Sequence, residues 1–125
     1  MYSRDFSKVS QNIIAFAHSQ KVLLVFDSDI QVVDANIKNT GYVELKEYEI
    51  KLNKISDAKL NQSEKLMGVA SIRGSTPEVI LYEVNDGFAA VNKFSGFKAS
   101  IKYVDFSTDS SFILCEDNLG EVSLF

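Results

Sequence analysis

Apolar residues along the chain come in short runs rich in Val, Ile, Phe and Tyr: NIIAFA, KVLLVF, IQVV, YVELKEY, KLMGVAS, EVILYEV, FAAVNKF, IKYVDF, SFILC and EVSLF. Short β-branched and aromatic runs bounded by turn residues predict strands, and no stretch holds a helical period. The turn chemistry lies between them, at Asp27-Ser28-Asp29, Asn39-Thr40-Gly41, Gly74-Ser75-Thr76-Pro77, Asn85-Asp86-Gly87, Asp109-Ser110-Ser111 and Asp117-Asn118-Leu119-Gly120. Asp, Asn and Gly tolerate the left-handed backbone of tight hairpins, so each strand is expected to pair antiparallel with its sequence neighbour.

The pattern repeats. Tyr42 and Phe88, Tyr48 and Phe94, Ile55 and Ile101, Leu60 and Phe106, and Leu66 and Phe112 are each 46 positions apart (for example 42 to 88), and Asn39-Thr40-Gly41-Tyr42 matches Asn85-Asp86-Gly87-Phe88. An earlier copy is read where Phe16 to Val22 parallels Leu60 to Leu66. Each copy then holds four strands. Strand a covers Ile13 to Phe16, Ile55 to Leu60 and Ile101 to Phe106; strand b covers Val22 to Phe26, Leu66 to Ser71 and Phe112 to Glu116. Strand c covers Ile30 to Asp34, Val79 to Val84 and Val122 to Phe125, and strand d covers Tyr42 to Tyr48 and Phe88 to Phe94, with no third copy. A repeat of 40 to 50 residues with four short strands is the mark of a β-propeller blade. The expected fold is all-β: one partial propeller over 1–125, with antiparallel four-stranded blades near 9–50, 51–96 and 97–125. The last blade lacks its d strand.

A closed ten-stranded barrel carrying a small apolar ligand is the rival architecture. Barrel strands alternate between an apolar inside and a wet outside. Val22-Leu-Leu-Val-Phe26 and Val79-Ile-Leu-Tyr82 do not alternate, as expected of strands covered on both faces by neighbouring blades.

At these residues the chain resembles a WD-repeat propeller, closest in flavour to the EML family of microtubule-associated proteins. The similarity is carried by Ser100 to Ile113, Leu66 to Ser71, Val79 to Glu83 and Gly120 to Phe125. It spans residues 10 to 125 as repeat shape and 66 to 125 as family flavour. The resemblance implies a protein-interaction scaffold, with tubulin as a partner and a cytoskeletal or ciliary place. The chain also departs from the pattern. The Trp-Asp pair falls at Val33-Asp34, at Tyr82-Glu83 and at Phe125, the Gly-His pair falls at Gly96-Phe97, and the chain has no tryptophan. The family's buried His, Asp, Ser and Trp network therefore cannot be assembled in its usual form, and other propeller families stay open.

Composition narrows the function. A net charge of −4, with 13 scattered Lys and Arg, disfavours nucleic acid and anionic lipid. A single cysteine, Cys115, and an opening without a leader pattern predict a reducing, cytoplasmic setting. His18 and Cys115 have no third orienting group, so a turn residue and a buried small residue are the preferred readings. Asp27-Ser-Asp29 and Glu116 to Glu121 lack the length and the distal ligand of a calcium loop, and Asp117 is expected to be the aspartate of the b-to-c turn. No cofactor, metal or enzyme activity is expected.

Three blades do not close a ring, and an uncovered blade face of roughly 400 Å² forfeits on the order of 10 kcal/mol at about 25 cal/mol per Å². The remaining blades of a propeller are therefore the expected partner, supplied by the rest of a longer polypeptide, by further copies of the chain that complete a ring, or by another protein. Tyr2 to Phe6 is a candidate for the missing d strand of a neighbour. Arg73 to Pro77 is expected to be an elongated b-to-c loop at a rim. The candidate protein-binding residues are Arg73 in that loop, Phe97 and Lys98 at the start of the third copy, and Phe125 on its strand c.

Overall fold

The computed structural model describes residues 12–15, 21–37, 43–84 and 88–125. They form β1 (Asn12–Ala15), β2 (Lys21–Val25), β3 (Asp29–Ile37), β4 (Val43–Lys51), β5 (Lys54–Leu60), β6 (Leu66–Arg73), β7 (Thr76–Glu83), β8 (Ala89–Phe94), β9 (Ile101–Phe106), β10 (Ile113–Asp117) and β11 (Val122–Leu124). Three separate antiparallel meanders result, β1-β2-β3-β4, β5-β6-β7-β8 and β9-β10-β11. These are the a, b, c and d strands expected from the repeat, with the third sheet holding a, b and c. The closed barrel does not stand, because the strands do not join into one continuous sheet. Phe16, His18, Tyr42, the Asn39 and Asn85 turns and the Tyr2 to Phe6 segment lie outside the described residues.

The repeat extends to backbone conformation. Between β5 and β6, Asn61 closes the turn through Asn61 N–H to Leu66 O at 2.9 Å, and Glu64 takes φ 60°. Between β9 and β10, Ser107 closes the same turn through Ser107 N–H to Phe112 O at 3.0 Å, and Ser110 takes φ 61°. Asn61 and Ser107, and Glu64 and Ser110, keep the 46-residue interval (61 to 107, 64 to 110).

Two expectations are corrected. Arg73 to Pro77 is not an elongated loop: Arg73 pairs with Thr76 and Ile72 with Pro77, leaving Gly74-Ser75 as the whole turn. Gly74 has φ +64°, with glycine in the first central position, as a type II′ hairpin requires. The extra residues lengthen the two strands, because Pro77 sits near the start of a strand where proline is tolerated.

The earlier copy is also shifted by one residue. Ala15 pairs with Val22 as Leu60 pairs with Met67, so Val22 corresponds to Met67, not to Leu66. Matching the polar turn residues Ser-Gln-Lys to Ser-Glu-Lys misled the alignment. Turn residues carry no information about faces, whereas a one-residue slip exchanges the two faces of a strand.

With that register, each sheet has one face toward the preceding sheet and one toward the next. Leu23, Val25, Ile30 and Val32 of the first sheet are buried together with Ala58, Met67, Val69, Ile80 and Tyr82 of the second. The opposite face of the second sheet, through Ala70 and Val79, joins Ile101, Val104, Ile113 and Cys115 of the third, with Phe94, Phe97 and Phe106 around them. The middle sheet is thus apolar on both faces, as its unalternating sequence requires. Gly68 lets the second and third sheets approach closely: a Cβ there would lie 2.7 Å from Ile113 Cδ1 and 3.4 Å from Phe106 Cζ.

Candidate interaction surface

Strand pairing defines equivalent positions in the three sheets, and their exposure differs sharply between inner and outer faces. Ala58 and Val104 are paired with Val69 and Cys115, and each is only 1% exposed against the preceding sheet. Ile13, paired with Leu24, holds the same position in the first sheet and is 62% exposed. On the opposite side, Val79 and Ile30 are fully buried against the next sheet. Val122 of β11, paired with Glu116, holds their position and is 59% exposed, and Leu124 beside it is 61% exposed. Tyr103, on the same face as Val122, is also exposed, and Leu114 is half-buried. Ile13 at one end and Val122 at the other are therefore exposed at positions that the inner faces bury.

Polar side chains tie the second sheet to the third. The Val104 N–H donates to Asp57 Oδ2 at 2.9 Å, and Lys59 Nζ lies 3.2 Å from Asp57 Oδ1. Asn61 is buried; its Oδ1 accepts the N–H groups of Lys65 and Leu66, both at 3.0 Å, while Nδ2 donates to Ser110 Oγ across the interface at 3.1 Å. Among the described residues every buried side-chain nitrogen and oxygen has a partner. These polar groups help to hold the second and third sheets together.

The candidate binding residues separate into a cluster and an outlier. Phe125 stacks on Phe94 with ring centroids 4.7 Å apart and meets Phe97 edge-on at 5.6 Å. Phe125 also exchanges two backbone bonds with Ile113, so it extends the β10–β11 ladder and pins the third sheet to β8 of the second. Lys98 lies nearby, 3.9 Å from Glu121, with both side chains largely exposed. Arg73 stands apart at the β6–β7 turn, exposed. The sequence reading did not single out Ile13, Tyr103, Val122 and Leu124. An apolar run gives no sign of which of its two faces lacks cover, and only the register reveals it.

The remaining candidates take structural places. Cys115 is buried, and burial pushes its thiol up to about 11, away from the thiolate a nucleophile needs. Asp117 Oδ1 accepts the N–H groups of Leu119 and Glu121, each at 2.9 Å, and Gly120 supplies φ +84°, so the segment is a capped hairpin turn. Among the described residues no group of three or more His, Cys, Asp or Glu is placed to hold a metal ion.

Stacked four-stranded antiparallel meanders with alternate faces buried between neighbours are the blades of a β-propeller. In agreement, the chain is similar in structure to Hsv2 of Kluyvelomyces marxianus, with a TM-score of 0.54 at 14% sequence identity. The match covers 98% of this chain and 50% of that one, so the chain spans half the length of the solved propeller it matches. No protein-family model matches the sequence. No curated protein matches it either.

Proposed function

We propose that the chain is a non-enzymatic scaffold for protein–protein interaction, a run of propeller blades whose two outer faces take further polypeptide. The observation that carries this reading is the exposure of Ile13 and Val122 at positions that are buried where the described sheets meet one another, with Leu124 exposed beside Val122. Exposed apolar area of this kind on a sheet face is a site for another sheet or strand. The remaining blades of a propeller are the partner with the matching shape.

A photo-cross-linking side chain placed at position 122 in cells tests this. The expected result is a discrete protein adduct that Leu124→Lys abolishes. Absence of any protein adduct would sink the scaffold reading.

The narrower form of the proposal, a microtubule-associated or ciliary, cytoplasmic protein, rests on the sequence resemblance over residues 66 to 125. Co-sedimentation of the completed propeller with tubulin tests it. Failure to sediment removes that partner and leaves the scaffold in place.

A further inference from the structure

The hairpin between strands b and c reaches further in the second sheet than in the other two. The pairs Val25–Ile30, Ala70–Val79 and Glu116–Val122 are equivalent, and beyond them the first and third sheets each close within one more rung, Phe26 to Asp29 and Asp117 to Glu121. The second sheet adds three rungs, Ser71–Glu78, Ile72–Pro77 and Arg73–Thr76, before the Gly74-Ser75 turn. Two extra rungs at the rise of a strand set its tip roughly 7 Å beyond the other two. Arg73, Gly74, Ser75 and Thr76 are all exposed there. This sheet has a described neighbour on each side, so the projection of its tip is independent of what covers the outer faces of the stack.

We propose that Thr76 is a phosphoryl-acceptor site for a protein kinase whose cleft takes a threonine followed by proline, and that Arg73 holds the phosphate once it is attached. The inference goes beyond the scaffold reading and stands without it.

The backbone supports the acceptor role. Pro77 follows Thr76 directly and keeps it extended, the form in which a peptide lies in a kinase cleft. The closing pair of a two-residue hairpin is hydrogen-bonded and the pairs then alternate, so Pro77 stands where its missing N–H would point away from β6. The β8 strand does not reach that side, because its last partner on β7 is Val79, opposite Phe94. The outer edge of Thr76-Pro77 therefore lies outside the ladder of its own sheet. Proline bars a further strand from that edge and leaves it to a cleft shaped for a residue without an N–H.

The charges support the role of Arg73. Directly paired residues lie on one face with their Cβ atoms about 4.5–5.5 Å apart, which sets the Arg73 side chain beside the Thr76 hydroxyl. Among the described residues Arg73 makes no ion pair. Glu78 shares that face, and Lys93 Nζ at 3.6 Å from its Oε2 offsets its charge. A phosphate on Thr76 adds nearly two negative charges and three acceptor oxygens, which an unengaged guanidinium takes in bidentate fashion. In the transfer the bond from the γ-phosphorus of ATP to its bridging oxygen breaks and one to Thr76 Oγ1 forms. The hydroxyl proton passes to the base of the kinase, and ADP leaves.

The test exposes the whole folded chain to a kinase of this class with ATP and locates the phosphate by peptide mass spectrometry. The expected product carries one phosphoryl group, on Thr76. Incorporation is expected to be lost in Thr76→Val and in Pro77→Ala and kept in Ser75→Ala. In a phosphorus NMR titration the attached phosphate is expected to ionise below its ordinary second pKa of about 6, and Arg73→Gln is expected to return it to that value. Absence of transfer to the folded chain overturns the proposal, as does transfer that occurs only in urea or that falls on Ser75. An equal phosphate pKa with and without Arg73 overturns the part given to Arg73. Neither result bears on the cross-linking at position 122, so the scaffold reading stands or falls separately.

Discussion

The two interfaces inside the chain are built on different principles. The first and second sheets meet through thick, mainly apolar faces, Leu23, Val25, Ile30 and Val32 against Met67, Val69, Ile80 and Tyr82, with Ser71 and Glu78 buried on that same face of the second sheet. The second and third meet through a thin face, Gly68 and Ala70 against Ile113 and Cys115, and there β9 lies directly on β5. The thin face brings Asp57 within hydrogen-bond reach of the Val104 N–H, and Asn61 within reach of Ser110. Side-chain size in strand b therefore sets how closely the innermost strands of neighbouring blades approach, and so whether a bond such as that from the Val104 N–H to Asp57 forms between them. The first kind tolerates change in proportion to the volume lost; the second is sensitive to volume gained.

The largest effect is expected where the thick interface loses volume. Met67 is fully buried in it, and Met67→Ala is expected to cost about 2–5 kcal/mol, read as a lower urea midpoint at constant slope. An effect under about 1 kcal/mol would mean that the two sheets are not packed as a core.

The thin interface is broken in the opposite sense, by adding an atom. Gly68→Ala places its Cβ 2.7 Å from Ile113 Cδ1, and Ile113 cannot swing freely because it is itself buried. The expected cost is about 1–3 kcal/mol. Ile113→Val removes the clashing methyl and by itself costs about 0.5–1.5 kcal/mol. The double variant should be more stable than the sum of the two costs predicts, because the second change relieves the strain of the first. Strict additivity in urea unfolding would reject the close approach.

These two interfaces also show how far the sequence could be read. The strands, their order and the split into sheets were legible because apolar runs and Asp/Gly turns are local signals. The interval of 46 was legible because the Asn61 and Ser107 turns repeat the same backbone. The faces were not. Val22 and Leu23 are equally apolar, and which of them looks toward the second sheet is decided by the Ala15–Val22 pairing, a non-local fact. The β6–β7 turn was misread for a related reason. Extra residues between two strands can lengthen either the loop or the ladder, and the Arg73–Thr76 pairing put them in the ladder. Of the candidate binding residues, Phe97 and Phe125 were found through repeat position and do meet. Ile13, Val122 and Leu124 escaped notice because exposure depends on what lies across a face.

A smaller effect distinguishes the interfaces by pH. Cys115 belongs to the thin interface, and burial raises its thiol from an ordinary 9.0 to about 11 in the folded chain. The unfolded thiol ionises near its ordinary value, so the folded state holds the proton longer. The stability contribution is fully present below pH 9 and is lost as pH rises through about 11. The wild type should therefore lose more stability than Cys115→Ala between those limits, in paired urea titrations that cancel the other alkaline groups. An identical pH slope for the two proteins would mean that Cys115 is not buried between the sheets.

The smallest effect is expected at Lys98, and its smallness sharpens the contrast. Lys98 approaches Glu121 at 3.9 Å, but the side chains are 76% and 52% exposed, so water and salt screen the pair. Exposed pairs of this kind contribute about 0–1 kcal/mol, and Lys98→Ala should move the urea midpoint within that range and less at high salt. The neighbouring aromatic contact of Phe125 with Phe94 and Phe97 holds the same corner without that pair. If Lys98→Ala instead destabilised the chain as much as Gly68→Ala, the third sheet would be held by charge at its rim. The thin apolar face could then no longer be the main link between the second and third sheets.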